Sequence, residues 1–492
     1  MDNARAGLDD PTLLPNRQKA LALVGVLLGM LLAALDQTIV ATAGPTIQGD
    51  LAIPPSLYTW ITTSYLVAST VCVPIWGKLS DSLGRRRTLL WGIGVFLVGS
   101  ALCGVSGSAM QLILARAVQG VGSASLFTSA FTVIADLFVP AERGRYQGIF
   151  GSVFGLSSIF GPLVGGFLTD TVGWHWCFFV NVPLGAVAVA FIVTRMPPLK
   201  RADSRPLVVD IAGVLALVAF AVPLLLGLSF GHLRVAPGET GWPWLSWPIA
   251  GFFGTSLVGL VAFLAVEGRA RDPIVDVRVV SQRTVAVGLA TAFLAGTAFL
   301  GAVVFMPLFM VNVAGASATE AGLTTLPLTM GLVTSNITSG QLASRAGRTK
   351  PFLLGSMVIA SLALWILGAV LTVDSTVLGV APFMFFVGVG LGPALPLVPL
   401  TVQNAVPPAV IGAVTSLATF FRQMGATVGL AILGTVFAAR LASPGREGFA
   451  AATSTTVMAA GLLQLLALFA ALFLPDLKLR GRAPSSPSAP AD

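Results

Sequence analysis

Apolar stretches recur along this chain at about 20–43, 57–76, 88–106, 109–135, 147–169, 177–195, 208–230, 245–266, 284–311, 321–343, 351–372, 377–399, 410–438 and 454–474. Each is close to the ~20 residues that a helix needs to cross a bilayer. Short polar breaks separate them. The pattern predicts an all-α polytopic membrane protein with fourteen transmembrane helices. An even number of spans puts both termini on one side.

Charge fixes the orientation. Only 10% of the 492 residues are charged and 55% are apolar. A soluble domain carries about 25% charged residues, so a soluble enzyme or binding module is excluded. The net charge is +8, yet the basic residues sit in short loops and read as topology signals, with no nucleic-acid partner. Of 28 Lys and Arg, two fall inside spans (Arg116, Arg422) and three in loops of one side (Arg234, Arg440, Arg446). The remainder occupy the termini and the alternate loops, which the positive-inside rule assigns to the cytoplasm. A multi-pass protein of the cell membrane with cytoplasmic termini is expected. Cys72, Cys103 and Cys177 lie in or beside apolar segments without metal-ligand spacing and are expected to be core residues.

Two loops repeat. GKLSDSLGRRR, Gly77 to Arg87, aligns with GQLASRAGRTK, Gly340 to Lys350: Gly77 with Gly340, Gly84 with Gly347 and Arg85 with Arg348. The first and ninth apolar stretches start at nearly the same offset. The chain therefore reads as a cytoplasmic segment (1–19), a six-helix half (20–196), a two-helix insert with connectors (197–283), a second six-helix half (284–474) and a cytoplasmic tail (475–492). Two repeated halves are a transporter architecture, with the substrate site between them near the midplane.

The loop with Gly77, Asp81, Gly84, Arg85 and Arg86 resembles the cytoplasmic motif of the major facilitator superfamily. Four further segments resemble its fourteen-span drug:proton antiporter branch: LDQTIVATAGPTI (Leu35 to Ile47), ILARAVQGVGSAS (Ile113 to Ser125), GSVFGLSSIFGPLVGG (Gly151 to Gly166) and WHWCFFVNVPLG (Trp174 to Gly185). FRQMGATVGLAILG (Phe421 to Gly434) is similar to that branch's penultimate helix. The first motif departs from the usual pattern at Thr42 and Gly44. The resemblance implies export by exchange. In that role Gly151, Gly155, Gly161, Gly165 and Gly166 would leave a flat helix face for close sliding, and Pro162 would permit bending.

Charges within spans are expensive, about 2.5–3.5 kcal/mol at a helix centre, so Asp36, Arg116 and Arg422 are functional candidates. With ~1.5 Å rise per residue, Asp36 and Arg116 fall at similar depth, and a facing pair that couples protons is expected. Glu320 is a second candidate proton site. Asp136, ending the fourth span, is expected to meet the Gly77–Arg87 loop as part of a gating network. Gln37, Gln119, Asn312, Asn336, Phe421, Arg422 and Gln423 are candidate cavity residues.

No Walker A sequence, catalytic cluster or metal-ligand set appears, so neither an enzyme nor a cofactor or metal is expected. The reading is a proton-coupled secondary exporter of amphipathic, cationic organic compounds. Its partners would be protons, a small-molecule substrate and the bilayer, and it would work as a monomer; the sequence leaves the need for a periplasmic adaptor open. The alternative is export of a lipid or endogenous metabolite by the same alternating-access machinery. A more remote one is a non-transporting scaffold, which would need none of these charges together.

Overall fold

The computed structural model describes residues 14–53, 55–58, 60–197, 210–232, 242–270, 273–315, 323–441 and 445–479. The long helices are α1 (Asn16–Asp50), α2 (Trp60–Leu83), α3 (Arg85–Gly104), α4 (Ala109–Leu137), α5 (Pro140–Thr171) and α6 (Asn181–Arg195). An insert follows, α7 (Ile211–Phe230) and α8 (Trp247–Glu267), joined at its tip by a two-residue pairing of Gly231–His232 with Trp242–Pro243. Then come α9 (Arg283–Asn312), α10 (Thr325–Ala346), α11 (Lys350–Val370), α12 (Val377–Leu391), α13 (Ala394–Ala405), α14 (Ile411–Arg440) and α15 (Arg446–Leu472).

Among the described residues, twelve helices are long and apolar enough to cross a membrane, with α12 and α13 counted as one. The chain is thus an all-helical, multi-pass bundle. The sequence pattern predicts fourteen spans. The two helices that fall short of that apolarity are α2 and α10. Both are long enough but carry a polar stripe: Ser64, Ser69, Thr70 and Ser80 in α2, and Ser335, Asn336 and Ser339 in α10, all buried. Their polar residues face other helices, so average hydropathy understates how far they are withdrawn from solvent.

Glycines set how closely these helices approach. With no aqueous driving force between helices in lipid, contact area and backbone proximity do the packing. A Cβ on Gly425 or Gly429 of α14 would collide with the carbonyls of Phe293 and Thr297 in α9. A Cβ on Gly331 of α10 would collide with Phe385, and on Gly388 of α12 with Leu328. In α4, Gly120 meets the backbone of Tyr65 and Gly122 that of Phe96.

The halves meet at one end of the bundle, here called the basic end for its Arg- and Lys-rich loops. There α5 lies against α10, with Gly144 backed onto Gly340, and α2 lies against α14, with Gly77 backed onto Ser416. Both described chain ends lie there too: Lys19 stacks over Phe138 at 5.3 Å, and Leu479 donates its amide to the Gly347 carbonyl at 2.8 Å. Towards the opposite end the cores separate. The Ile39–Trp174–Phe178 cluster belongs to the first half alone and the Phe305–Met384–Val457 cluster to the second. The insert packs its α7 against α2 and α14, with Leu217 and Ala221 in one core with Val71 and Phe420.

Gly425→Val is expected to cost about 1–3 kcal/mol through overpacking, read as a lower unfolding temperature in detergent. Gly434→Val, on the same helix with nothing within 4 Å of its would-be Cβ, is the control and should unfold like wild type.

Candidate functional site

Asp36 sits midway along α1 with its carboxylate fully buried. Its Oδ2 accepts a hydrogen bond from Arg116 Nη1 at 2.7 Å. Its Oδ1 accepts from Gln119 Nε2 at 2.7 Å and from Asn181 Nδ2 at 2.8 Å. Arg116 and Gln119 stand one turn apart on α4, and Nη1 also donates to Gln119 Oε1 at 2.7 Å. Arg116 Nε donates to the Ile61 carbonyl at 3.1 Å. The guanidinium lies 4.3 Å from the Tyr65 ring centroid and 5.9 Å from that of Phe178. Tyr65 in turn donates to Ser123 Oγ at 2.6 Å and accepts from Gln37 Nε2 at 3.4 Å. Asn181 is shared with Ser100 Oγ at 3.0 Å.

Helices α4 and α6 thus hold the carboxylate of α1 directly, and α2 and α3 hold those partners in turn. Two glycines make this approach feasible: a Cβ at Gly99 would strike the Gln119 backbone, and one at Gly120 the Tyr65 carbonyl. Removing one member of a buried pair leaves an uncompensated charge, typically at about 3–5 kcal/mol. The cluster is therefore a tightly coupled unit in which any change in the charge of Asp36 must rearrange its donors.

A second cluster lies at the basic end. Arg85 Nε donates to Asp136 Oδ2 at 2.6 Å, and Nη1 to Asp81 Oδ1 at 2.6 Å and Ser80 Oγ at 3.0 Å. Arg85 and Asp136 are buried. Asp81 reaches across to the other half: its Oδ2 accepts from the Ala413 amide at 3.0 Å, in the first turn of α14. A carboxylate there is favoured by the unsatisfied amides and the helix dipole. A Cβ at Gly412 would run into that carboxylate. Gly84 turns the chain with φ 87, a conformation that suits glycine.

The repeat copy is built alike but without buried charge. Gly347 again has positive φ, 66. Gly340 again meets the opposite half, at Gly144. Ser344, aligned with Asp81, accepts from the Arg145 amide at 3.2 Å. Arg348, aligned with Arg85, is exposed and pairs with Asp476 at 2.8 Å.

The α5 glycines do not share one face. Gly151 packs on Asn336 and Gly155 on Val333, both of α10 in the other half. Gly161 and Gly165 pack on Thr38 and Thr42 of α1 in the same half. Gly166 has nothing within 4 Å, so the expected flat face excludes it. The helix runs unbroken through Pro162, and its partner changes between Gly155 and Gly161.

Several other expectations need correction. Gln119 lines no cavity; it is fully buried in the Asp36 cluster. Asn312 is exposed at the end of α9, donating to the Leu308 carbonyl at 2.8 Å. Arg86 stands apart from the Asp81 network and donates to the Val193 carbonyl. Phe421 packs with Phe420 and Phe293 beside the insert. Asn336 is buried between α5 and α10, its Oδ1 without a partner. Gln37 is half-buried beside Tyr65. Arg422 and Gln423 are half-buried in α14. Glu320 lies outside the described residues. Sequence reasoning passed over Asn181, Tyr65 and Ser100. Asn181 was legible as an amide inside the apolar run that starts at Trp176. A second missed link joins the halves at the basic end, where Gln147 Nε2 donates to Gln403 Oε1 at 3.2 Å and Gln403 Nε2 donates to Thr415 Oγ1 at 2.9 Å.

Two repeated helical halves, joined at one end, with a buried charge cluster inside the first, are the architecture of a membrane transporter. The profile of the Major Facilitator Superfamily matches residues 26–430, and the chain belongs to that family. It is 37% identical over 423 residues to the multidrug transporter protein MdtP of Bacillus subtilis, covering 86% of this chain and 76% of that one. It is 38% identical to multidrug resistance protein 3 of the same organism, covering 87% and 81%. The tetracenomycin C resistance and export protein of Streptomyces glaucescens is 32% identical, with 85% and 76% covered. Among solved structures, the proton:xylose symporter XylE bound to 6-bromo-6-deoxy-D-glucose has the same fold, at TM-score 0.65 and 15% identity, with 93% and 96% covered.

Gly165→Leu is expected to push α5 off α1, because its Cβ position is already filled by Thr42 and the Ile39 carbonyl. Gly166→Leu should be tolerated. Comparing folded yield and transport of the two variants checks this, and equal behaviour would mean that the α1–α5 contact is not tight.

Proposed function

We propose that the chain is a proton-coupled exporter of amphipathic organic compounds, cationic ones among them. It spans the cell membrane fourteen times, with α2 and α10 completing the twelve apolar helices and both termini in the cytoplasm. The observation that carries the reading is Asp36, a fully buried carboxylate held by Arg116, Gln119 and Asn181. The acid neutralises the buried Arg116, and a charge at this depth is costly to keep. Taking up and giving back a proton is a task that only the acid can do. The multidrug relatives support the cargo class.

With the basic end cytoplasmic, the halves are closed towards the cytoplasm, and the structure is the outward-facing state. Asp81 on Ala413 and the two glycine contacts, Gly77 and Gly144, form the latch. Protonation of Asp36 removes the charge that Arg116 pairs with, and the donors on α4 and α6 are released to rearrange. Substrate and proton then exclude each other at the same carboxylate, which couples their opposite movements. The exporter works as a single chain.

Two results test this. Purified wild-type protein should release protons on adding substrate such as tetraphenylphosphonium, and Asp36→Asn should not; a variant that releases protons like wild type places coupling elsewhere. Asp81→Asn keeps an acceptor for Ala413 but loses its charge against Arg85. It should shift the balance of states by about 1–3 kcal/mol and speed maleimide labelling of Ser416→Cys behind the latch. Unchanged labelling would reduce the loop to a topology signal.

A further inference from the structure

Arg422 is a half-buried arginine of α14 whose side chain has no partner among the described residues. Arg85 and Arg116 are each held by aspartates, and Arg143 donates to the carbonyls of Phe138 and Ala135. Among the described residues no hydrogen bond, ion pair or ring contact engages the Arg422 guanidinium, and no charged side chain acts on it. Its neighbour Gln423 has a buried Oε1 that is also without a partner.

The surroundings of α14 place this pair. One face, with Gly425 and Gly429, packs on α9, and the Arg422 carbonyl abuts Gly296. A second face, with Phe420 and Met424, packs on α2 and the insert. Thr415, Thr419, Arg422 and Gln423 follow at helical spacing on the stripe between these faces. Its lower member, Thr415, accepts from Gln403, which is linked to Gln147 of the other half. The stripe therefore starts at the contact between the halves, and Arg422 and Gln423 lie two turns up from it, away from the closed basic end.

We propose that Arg422, with Gln423 beside it, binds the acidic group of the transported compound: a carboxylate, sulfonate or ionised phenol on an amphipathic molecule. This rests on the exporter reading and adds acids and zwitterions to its cargo. A guanidinium presents a fixed fork of donors that matches an oxyanion bidentately, and its neighbours leave that fork free. In the state shown both Asp36 oxygens are held by Arg116, Gln119 and Asn181, so the two sites are separate and an acidic group on the cargo falls to Arg422.

The test uses full-length protein in phosphatidylcholine nanodiscs, with radiolabelled taurocholate as acidic probe and tetraphenylphosphonium as cationic comparator. R422Q should weaken taurocholate binding by about tenfold or more and leave tetraphenylphosphonium within about twofold; R422K should fall between. Equal loss of both probes, or no loss of taurocholate, overturns the assignment. If R422Q does not fold, R422K and Q423L serve, and unchanged taurocholate binding in both overturns it. Inorganic phosphate, or phosphatidylglycerol in the disc, displacing taurocholate as well as unlabelled taurocholate does would also overturn it, since Arg422 would then be a plain counter-ion site. Wild-type vesicles that export tetraphenylphosphonium without binding taurocholate sink only this assignment; vesicles that export neither probe nor any multidrug substrate sink the exporter reading.

Discussion

A carboxylate and a guanidinium buried together in an apolar bundle must satisfy each other, and the first half is arranged around that requirement. Both carboxylate oxygens of Asp36 and both Nε and Nη1 of Arg116 are hydrogen-bonded within the cluster, and the groups involved come from four helices, with a fifth holding Asn181 through Ser100. No helix can shift alone without exposing a charge to an apolar neighbour. The glycines at 99 and 120 bring the backbones near enough for the side chains to meet. The packing and the electrostatics are therefore one constraint.

That constraint extends to the latch through rigid elements. α4 carries Arg116 and Gln119 near one end and Asp136 at the other, twenty residues on, or about 30 Å of helix. α2 carries Ile61 and Tyr65 against Arg116, and Asp81 at its far end against Ala413. The two clusters thus sit at opposite ends of the same helix pair. In the proposed cycle, a proton on Asp36 weakens the hold on the upper ends of α2 and α4, and a small tilt there moves Asp81 off α14. The coupling needs no chain of intermediates, only two stiff helices with a charge at each end.

Much of this was legible in the chain. The repeat was visible as matched loops, but only the structure shows the division between their glycines: Gly77 and Gly340 back onto the opposite half, and Gly84 and Gly347 turn the chain with positive φ. The depth of Asp36 and Arg116 foreshadowed their contact. What was not legible depended on which way a side chain faces. Gln119 and Gly166 have motif positions that look equivalent to their neighbours, yet one is sealed among charges and the other is open. Rotation about a helix axis decides such cases, and it is set by partners distant in sequence. The sequence pattern counts α2 and α10 among the spans, yet their Ser, Thr and Asn residues, buried against neighbouring helices, lower their apolarity below that of the other twelve.

The two copies of the loop show how the repeat has divided its labour. Both copies use glycine to let the halves touch, and both place a side-chain oxygen on a backbone amide of the opposite half, Asp81 on Ala413 and Ser344 on Arg145. Only the first copy makes that oxygen a carboxylate tied to a buried arginine. A serine contact is short-ranged and indifferent to charge elsewhere. The Asp81 contact is part of a network whose strength depends on Arg85 and Asp136, hence on the position of α4. The second copy can then act as a neutral hinge surface, while the first is sensitive to the helix that also holds Asp36. In the proposed cycle, an asymmetric latch of this kind would let one protonation event control the closure of a nearly symmetric bundle.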